Sequence, residues 1–308
     1  MKYLPATVYV LLALVWGSNF IFVKWAAESI TPAQITLLRV LFGFVPVLMF
    51  ALARRALSWS HLRHLHHFVV MALLATAVYY YAFAAGTALL PSGVAGMLGG
   101  AIPLFTFLCA WIFLKEETIG ARQVVGILLG LGGIILIAAP WSSDGQIAPL
   151  GVAWMIGGAL SVGSSFVYAR RFVTPLRLPA AALTTYQIGL GLLFLLLFTD
   201  RSGIEALLGD RRASVGLVLG LGLCGTGFAY IAYYYLIDRL GAVTASSVTY
   251  LPPIVALFIG VVLAGEDITP ATGAAVVLIL AGVACLQRFK LPGAAVVALA
   301  AARRRAPR

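Results

Sequence analysis

Gly17-Ser18-Asn19-Phe20-Ile21-Phe22-Val23-Lys24, at the end of the first apolar run, returns later in the chain as Gly163-Ser164-Ser165-Phe166-Val167-Tyr168-Ala169-Arg170. The glycine, the serine and the phenylalanine coincide, and most other positions keep their character. A constant offset of 150 then matches Tyr80 with Tyr230, Ala95 with Ala245, Pro103 with Pro253, Glu116 with Glu266 and Gly132 with Gly282. A proline inside an apolar run and a glutamate just past its end are unusual features to meet twice. The chain therefore reads as a duplication, and the apolar runs around these residues define the repeated unit.

Of the 308 residues, 62% are hydrophobic and 10% charged, with a mean hydropathy of +1.03. A soluble domain is roughly 25% charged, because its surface must stay solvated. Soluble enzymes, disordered tails and secreted disulfide scaffolds are excluded, and the chain reads as an integral membrane protein. A spanning helix needs about 20 apolar residues. Ten runs qualify, near 4–24, 33–53, 68–89, 92–114, 121–139, 150–169, 180–199, 213–237, 242–264 and 270–287. Leu90-Pro91 alone separates the third from the fourth. The first run is too long for a signal-peptide core and reads as a retained span.

Five spans per copy is an odd number, so the second copy enters the bilayer upside down. With the N-terminus inside, 16 of the 21 basic residues fall on the inner side, among them Arg54, Arg55, Arg170, Arg171 and Arg303–Arg305. Only Lys24, Arg201, Arg211 and Arg212 fall outside, which predicts both termini in the cytoplasm. The fold expected is all-α: ten transmembrane helices as two inverted five-helix repeats, over 1–145 and 146–290, with a basic cytoplasmic tail over 291–308. Inverted repeats are characteristic of secondary transporters, whose halves rock about a site near the bilayer midplane.

The Trp16-Gly17-Ser18-Asn19-Phe20 start, Leu37-Leu38-Arg39, Pro103 followed by Glu116, and their second-half echoes resemble the drug/metabolite transporter superfamily. More narrowly they are similar to its EamA family of ten-helix exporters, and within it to bacterial aromatic amino acid exporters. The resemblance covers roughly residues 4–287. It implies an inner-membrane exporter of amino acids and related metabolites, with a cavity between the halves. Ser165 stands where Asn19 does, and no arginine in the seventh span answers Arg39, so symmetric contacts with the cargo are not expected.

Pro103 and Pro253 each remove an N–H bond and free a carbonyl one turn earlier, near Gly99 and Thr249. In a bilayer a freed carbonyl needs protein or a water-filled cavity, so paired breaks point to a binding site, a packing kink being the plainer reading. Arg39 is the one charged residue well inside a run. It either meets a substrate carboxylate or ties helix-end carbonyls. Asn19 offers donors and an acceptor for the solute, or joins helices. Tyr79 with Phe83, and Tyr230 with Tyr234, share helix faces; Ser165, Tyr168 and Gln187 complete the expected lining. Aromatic walls with few polar groups suit an amphipathic solute.

No carboxylate lies in the middle of a span, which disfavours toxic cations as cargo and leaves no obvious proton carrier; scarce intramembrane basic residues weigh against nucleotide-linked sugars. A membrane-embedded lipid-modifying enzyme would need an acidic or metal-binding cluster. His61, His64, His66 and His67 are the only candidate, and they read as an interfacial segment. No phosphate-cradling loop appears. Expected partners are a small-molecule substrate and the lipid bilayer, with no nucleic acid, no metal and no cofactor, in a monomer or homodimer. Cys109, Cys224 and Cys285, each in a separate run, read as buried small hydrophobes.

Overall fold

A computed structural model describes residues 4–114, 120–138, 147–241, 245, 247–267 and 269–286. Glu116, Ser246 and the 291–308 tail lie outside the described residues. Regular structure among the described residues is helical throughout. Among the described residues, nine helical runs are long and apolar enough to cross a membrane: 4–27, 32–53, 59–89, 92–113, 121–138, 149–176, 180–198, 211–240 and 247–264. A tenth, 270–286, is apolar but shorter. Large apolar side chains such as Met49, Leu197, Phe198 and Phe258 stand exposed on their outer faces, as they do where lipid replaces water. The chain is a multi-pass membrane protein.

We number the α-helices α1 (Leu4–Ala27), α2 (Pro32–Ala53), α3 (Leu65–Ala72), α4 (Val78–Leu89), α5 (Ser92–Gly99), α6 (Ile102–Phe113), α7 (Ala121–Ala138), α8 (Pro149–Tyr168), α9 (Ala180–Phe198), α10 (Arg211–Val215), α11 (Ala229–Leu240), α12 (Pro252–Ala264) and α13 (Pro270–Leu286). Three described runs take on π winding partway. A π-helical turn at Leu73–Ala77 joins α3 to α4, another at Ala169–Val173 follows α8, and a longer π-helical stretch, Gly216–Phe228, joins α10 to α11. π segments inside α-helices are uncommon and gather at functional sites.

Local sequence accounts for the ends. Thr31 caps α2 through a capping box: its Oγ1 accepts from the Gln34 N–H, while the Gln34 side chain accepts from the Thr31 N–H. Leu90, extended at φ −119° and ψ 158°, has the conformation that a following proline imposes, and this two-residue link does separate α4 from α5. The prolines act differently from a mid-helix kink. The fourth run stops at Gly99 and restarts at Ile102, with Pro103 in the first turn of α6. In the ninth, a 3₁₀ turn (Ser247–Tyr250) gives way to α12, with Pro252 and Pro253 in its first turn. A missing N–H costs nothing there. Each proline starts a new half-helix.

The helices before and after residue 145 interleave. α1 packs on α12 and on Gly216–Phe228, α2 on that same stretch and on α9, α4 and α6 on α8, α5 on α12, and α7 on α13. Without a hydrophobic drive between helices in lipid, close approach rests on small residues. A Cβ at Gly282 of α13 would stand 2.6 Å from the Gly130 nitrogen and 2.7 Å from the Gly126 carbonyl oxygen of α7. Both are backbone atoms that cannot yield without parting the helices. Gly282→Ala should therefore destabilise the protein by about 1–3 kcal/mol, read as a lower melting temperature in detergent. Gly132→Ala, where a Cβ meets nothing within 4 Å, should be neutral or stabilising. Gly132 and Gly282 thus share an offset but not a contact. Cys109 is buried, whereas Cys224 is exposed: it sits on the outer side of its run, and the expectation of burial fails for it.

Candidate functional site

Between these helices lies a cavity of about 510 Å³. Its wall reaches from Met71, near the start of the 65–89 helical run, to Thr87 near its end. At 1.5 Å rise per residue that is about 24 Å of helix, most of a bilayer's hydrocarbon core. The helix restarts open onto it. Gly99, Ile102 and Pro103 line one side and Thr249, Pro252 and Pro253 the other.

Arg39 is the charged residue of the wall and is only 9% exposed. Its Nε–H donates to Thr226 Oγ1 at 3.0 Å, and the Thr226 hydroxyl donates to the Leu221 carbonyl at 3.0 Å, five residues back along the π-helical stretch. The guanidinium carbon sits 3.9 Å from the centre of the Tyr80 ring, close enough for a cation–π contact. The side chain is thus clamped at its stem. Its two terminal amino groups make no hydrogen bond to the described residues, which supply no ion pair either.

Asn19, 8% exposed, borders the same corner. Its Oδ1 is buried without a partner and faces Gly225, where any Cβ would overlap it. The Gly216–Phe228 stretch carries five glycines at 216, 220, 222, 225 and 227, and the side chains of α1 and α2 come within van der Waals contact of them. This is why Asn19 and Arg39 can converge on residues 225 and 226. The other buried side-chain atom left without a partner among the described residues, Thr87 Oγ1, also belongs to the wall. Buried polar groups are almost always bonded, and both exceptions among the described residues belong to residues of this one wall.

The remaining wall is aromatic. Tyr79 and Phe83 stand edge to face with ring centres 4.6 Å apart, Phe20 and Phe83 lie 6.3 Å apart, and Trp16 leans on Tyr233 at 5.7 Å. The hydroxyls of Tyr80 and Tyr230, 150 residues apart, meet at 3.3 Å. Gln187 Nε2 donates to Thr76 Oγ1 at 3.1 Å across the π-helical turn of 73–77, and Ser165 Oγ donates to the Val162 carbonyl at 2.7 Å. No Asp or Glu is among the described lining residues.

Asn19, Arg39, Tyr79, Phe83, Ser165, Gln187 and Tyr230 therefore come together, with Pro103 and Pro253 beside them. Tyr168 and Tyr234 do not, and the expectation for both is corrected. Tyr168 lies where α8 passes into a π-helical turn and shares a 2.7 Å hydrogen bond with His67 Nδ1. Tyr234, one turn beyond Tyr230, donates to the Ala180 carbonyl at 3.3 Å. Shared helix spacing places them on the right strip, but the cavity ends before reaching them. Phe20, Tyr80, Thr87, Tyr233 and Thr226 also join the site. Thr87, Tyr233 and Thr226 carry no sequence signal of their own, while Phe20 belongs to the repeated Gly17–Lys24 segment and Tyr80 is visible as the partner of Tyr230 at the 150 offset. The histidine loop forms no metal cluster among the described residues.

Three polar side chains tie helix ends to neighbouring segments. The Glu266 carboxylate, beyond α12, accepts from the Ser92 N–H (2.5 Å), the Ser92 hydroxyl (2.8 Å) and the Gly93 N–H (2.8 Å). A carboxylate at the N-terminus of α5 also complements the helix dipole. Lys24 Nζ donates to the Ala88 and Leu90 carbonyls (3.2 and 2.9 Å) at the C-terminus of α4. Gln34 Nε2 donates to the Asp200 and Ser202 carbonyls (3.0 and 2.9 Å).

Comparison with known proteins agrees on the class. The model of the EamA-like transporter family matches residues 4–139 and 149–288. The chain is 29% identical over 292 residues to the uncharacterized inner membrane transporter YedA of Escherichia coli K12, covering 93% of this chain and 92% of that one. It is 26% identical to an uncharacterized transporter of Archaeoglobus fulgidus (89% and 95% covered) and 27% to the uncharacterized transporter YdfC of Bacillus subtilis (82% and 80%). The names of these relatives give no substrate. A solved protein crystal structure superposes with a TM-score of 0.58 over 91% of this chain and 95% of its own, at 22% identity, a likeness of fold.

Proposed function

The chain belongs to the EamA-like transporter family, and from that premise we propose that it exports small amphipathic metabolites across a bacterial inner membrane by alternating access. Aromatic and other neutral amino acids are the cargo favoured by this reading. The observation that carries it is the central cavity: one clamped guanidinium with free terminal N–H groups, set in aromatic walls. Such a pocket suits a solute with a carboxylate at one end and an apolar body. Cationic drugs find no carboxylate there.

Two inverted repeats, over 1–145 and 146–290, supply the mechanism. Residues related by a two-fold axis touch each other only near that axis. The Tyr80–Tyr230 hydroxyl contact supports an axis through the cavity. An axis in the membrane plane gives inward-open and outward-open forms similar energies, and the solute is released on either side.

The test is counterflow of labelled phenylalanine into proteoliposomes of the purified protein, with and without a pH gradient. Saturable exchange without a gradient is expected, since the cavity wall holds no carboxylate to carry a proton. Movement of a quaternary ammonium alone, driven by the gradient, would overturn the assignment.

A further inference from the structure

The charge balance of the cavity narrows the solute class beyond its aromatic character, a deepening that rests on the transport function proposed for this same site. Arg39 is nine-tenths buried at a depth where lipid surrounds the protein, its Nε engaged by Thr226 and its terminal amino groups unbonded among the described residues. A cation in such a place calls for a counter-ion. The described residues supply none: those that line the cavity include no Asp or Glu, and the half-buried Glu266 is committed to Ser92 and Gly93. On the same cavity wall, the Asn19 carbonyl oxygen is shut against Gly225. Its amide nitrogen makes no hydrogen bond among the described residues and stands with Arg39 as a donor. The corner formed by α1, α2 and residues 225–226 is thus rich in donors and holds no anion.

From this we infer that the cavity selects aromatic solutes by net charge, and that an aromatic monocarboxylate without an ammonium group binds more tightly than the corresponding amino acid. The carboxylate supplies the missing counter-ion to Arg39 through charge-assisted bonds. An ammonium on the adjacent carbon sits within a few ångströms of the same guanidinium, where like charges repel. Its remaining partners are neutral oxygens and ring faces, with no carboxylate to balance it. A zwitterion therefore gains at one end and loses at the other, and an amine without a carboxylate only loses.

Three ligands with one ring and one spacer isolate this term: 3-phenylpropanoate, phenylalanine and 2-phenylethylammonium. Calorimetric titration of the detergent-purified full chain at pH 7.5 avoids the passive leak of a weak acid through vesicles. 3-Phenylpropanoate is expected to bind about tenfold more tightly than phenylalanine, in line with one charge-assisted bond no longer offset. 2-Phenylethylammonium is expected not to bind at millimolar concentration. In Arg39→Gln the affinities for the anion and the zwitterion should converge, and in Arg39→Lys part of the preference should return. Should Arg39→Gln fail to fold, the order of the three ligands on the unaltered protein still decides. Phenylalanine binding as tightly as 3-phenylpropanoate, or more so, overturns this inference and leaves amino acid export standing. Binding of none of the three overturns both.

Discussion

Arg39→Gln is expected to lower phenylalanine counterflow about a hundredfold while leaving a folded protein. The guanidinium is the wall's single formal charge, and its terminal amino groups face no protein acceptor among the described residues. Two charge-assisted bonds to a substrate carboxylate, at roughly 1.5–3 kcal/mol each, less the repulsion the same guanidinium exerts on the ammonium, leave a loss of that order. Stability changes less. The variant gives up the bond to Thr226 and the contact with the Tyr80 ring, together about 1–2 kcal/mol, and glutamine keeps some polar reach. A role in structure alone would give a different pattern, a lower melting temperature with an unchanged KM. Arg39→Lys separates charge from geometry: lysine restores the cation but not the planar fork, so transport should recover only in part.

Glu266→Ala is the second large effect, and it acts on stability. The carboxylate accepts three donors at the start of α5, from the Ser92 N–H, the Ser92 hydroxyl and the Gly93 N–H. Ser92 is fully buried, so these donors have little access to water once the acceptor is gone. Leaving buried donors unbonded costs about 1–3 kcal/mol each, and losing the charge at the helix N-terminus adds a few tenths more. Partial rehydration brings the net to about 3 kcal/mol, a melting temperature lower by roughly 5–10 °C. Glu266→Gln should fall between. Its amide keeps one acceptor but turns an NH2 group toward a donor. Full retention of stability in Glu266→Ala would mean that α5 needs no cap from α12.

Much of this molecule is legible in the sequence. Apolar length and punctuation place the spans, because a bilayer demands some 20 apolar residues and tolerates few interruptions. The repeat at offset 150 marks Tyr80, Tyr230, Pro103 and Pro253, which all reach the cavity. Arg39 stands out because a charge within a span has few reasons to be there. The parts that stay hidden depend on how helices are rotated and wound. Tyr168 and Tyr234 have the right spacing but end beyond the cavity. Thr87 and Tyr233 look like any residue of an apolar run until the neighbouring helices are in place. The π winding of 216–228 has no signal in residue type beyond its glycines. It is that winding that puts Gly225 against Asn19 and Thr226 against Arg39. Glu266 reads in the sequence as a residue just past a span; its position against the N-terminus of α5, 173 and 174 residues away, comes only from the packing of α5 on α12.

Occupancy of this cavity by solute can be measured directly. Thr106 lines the cavity, whereas Leu208 is 79% exposed in the 3₁₀ turn Ile204–Gly209. With Cys109, Cys224 and Cys285 changed to serine, Thr106→Cys and Leu208→Cys each present one thiol to a small maleimide. Saturating phenylalanine should slow labelling at position 106 several-fold and leave position 208 untouched. Unchanged labelling at position 106, in a protein that still exchanges phenylalanine, would place the transport path elsewhere.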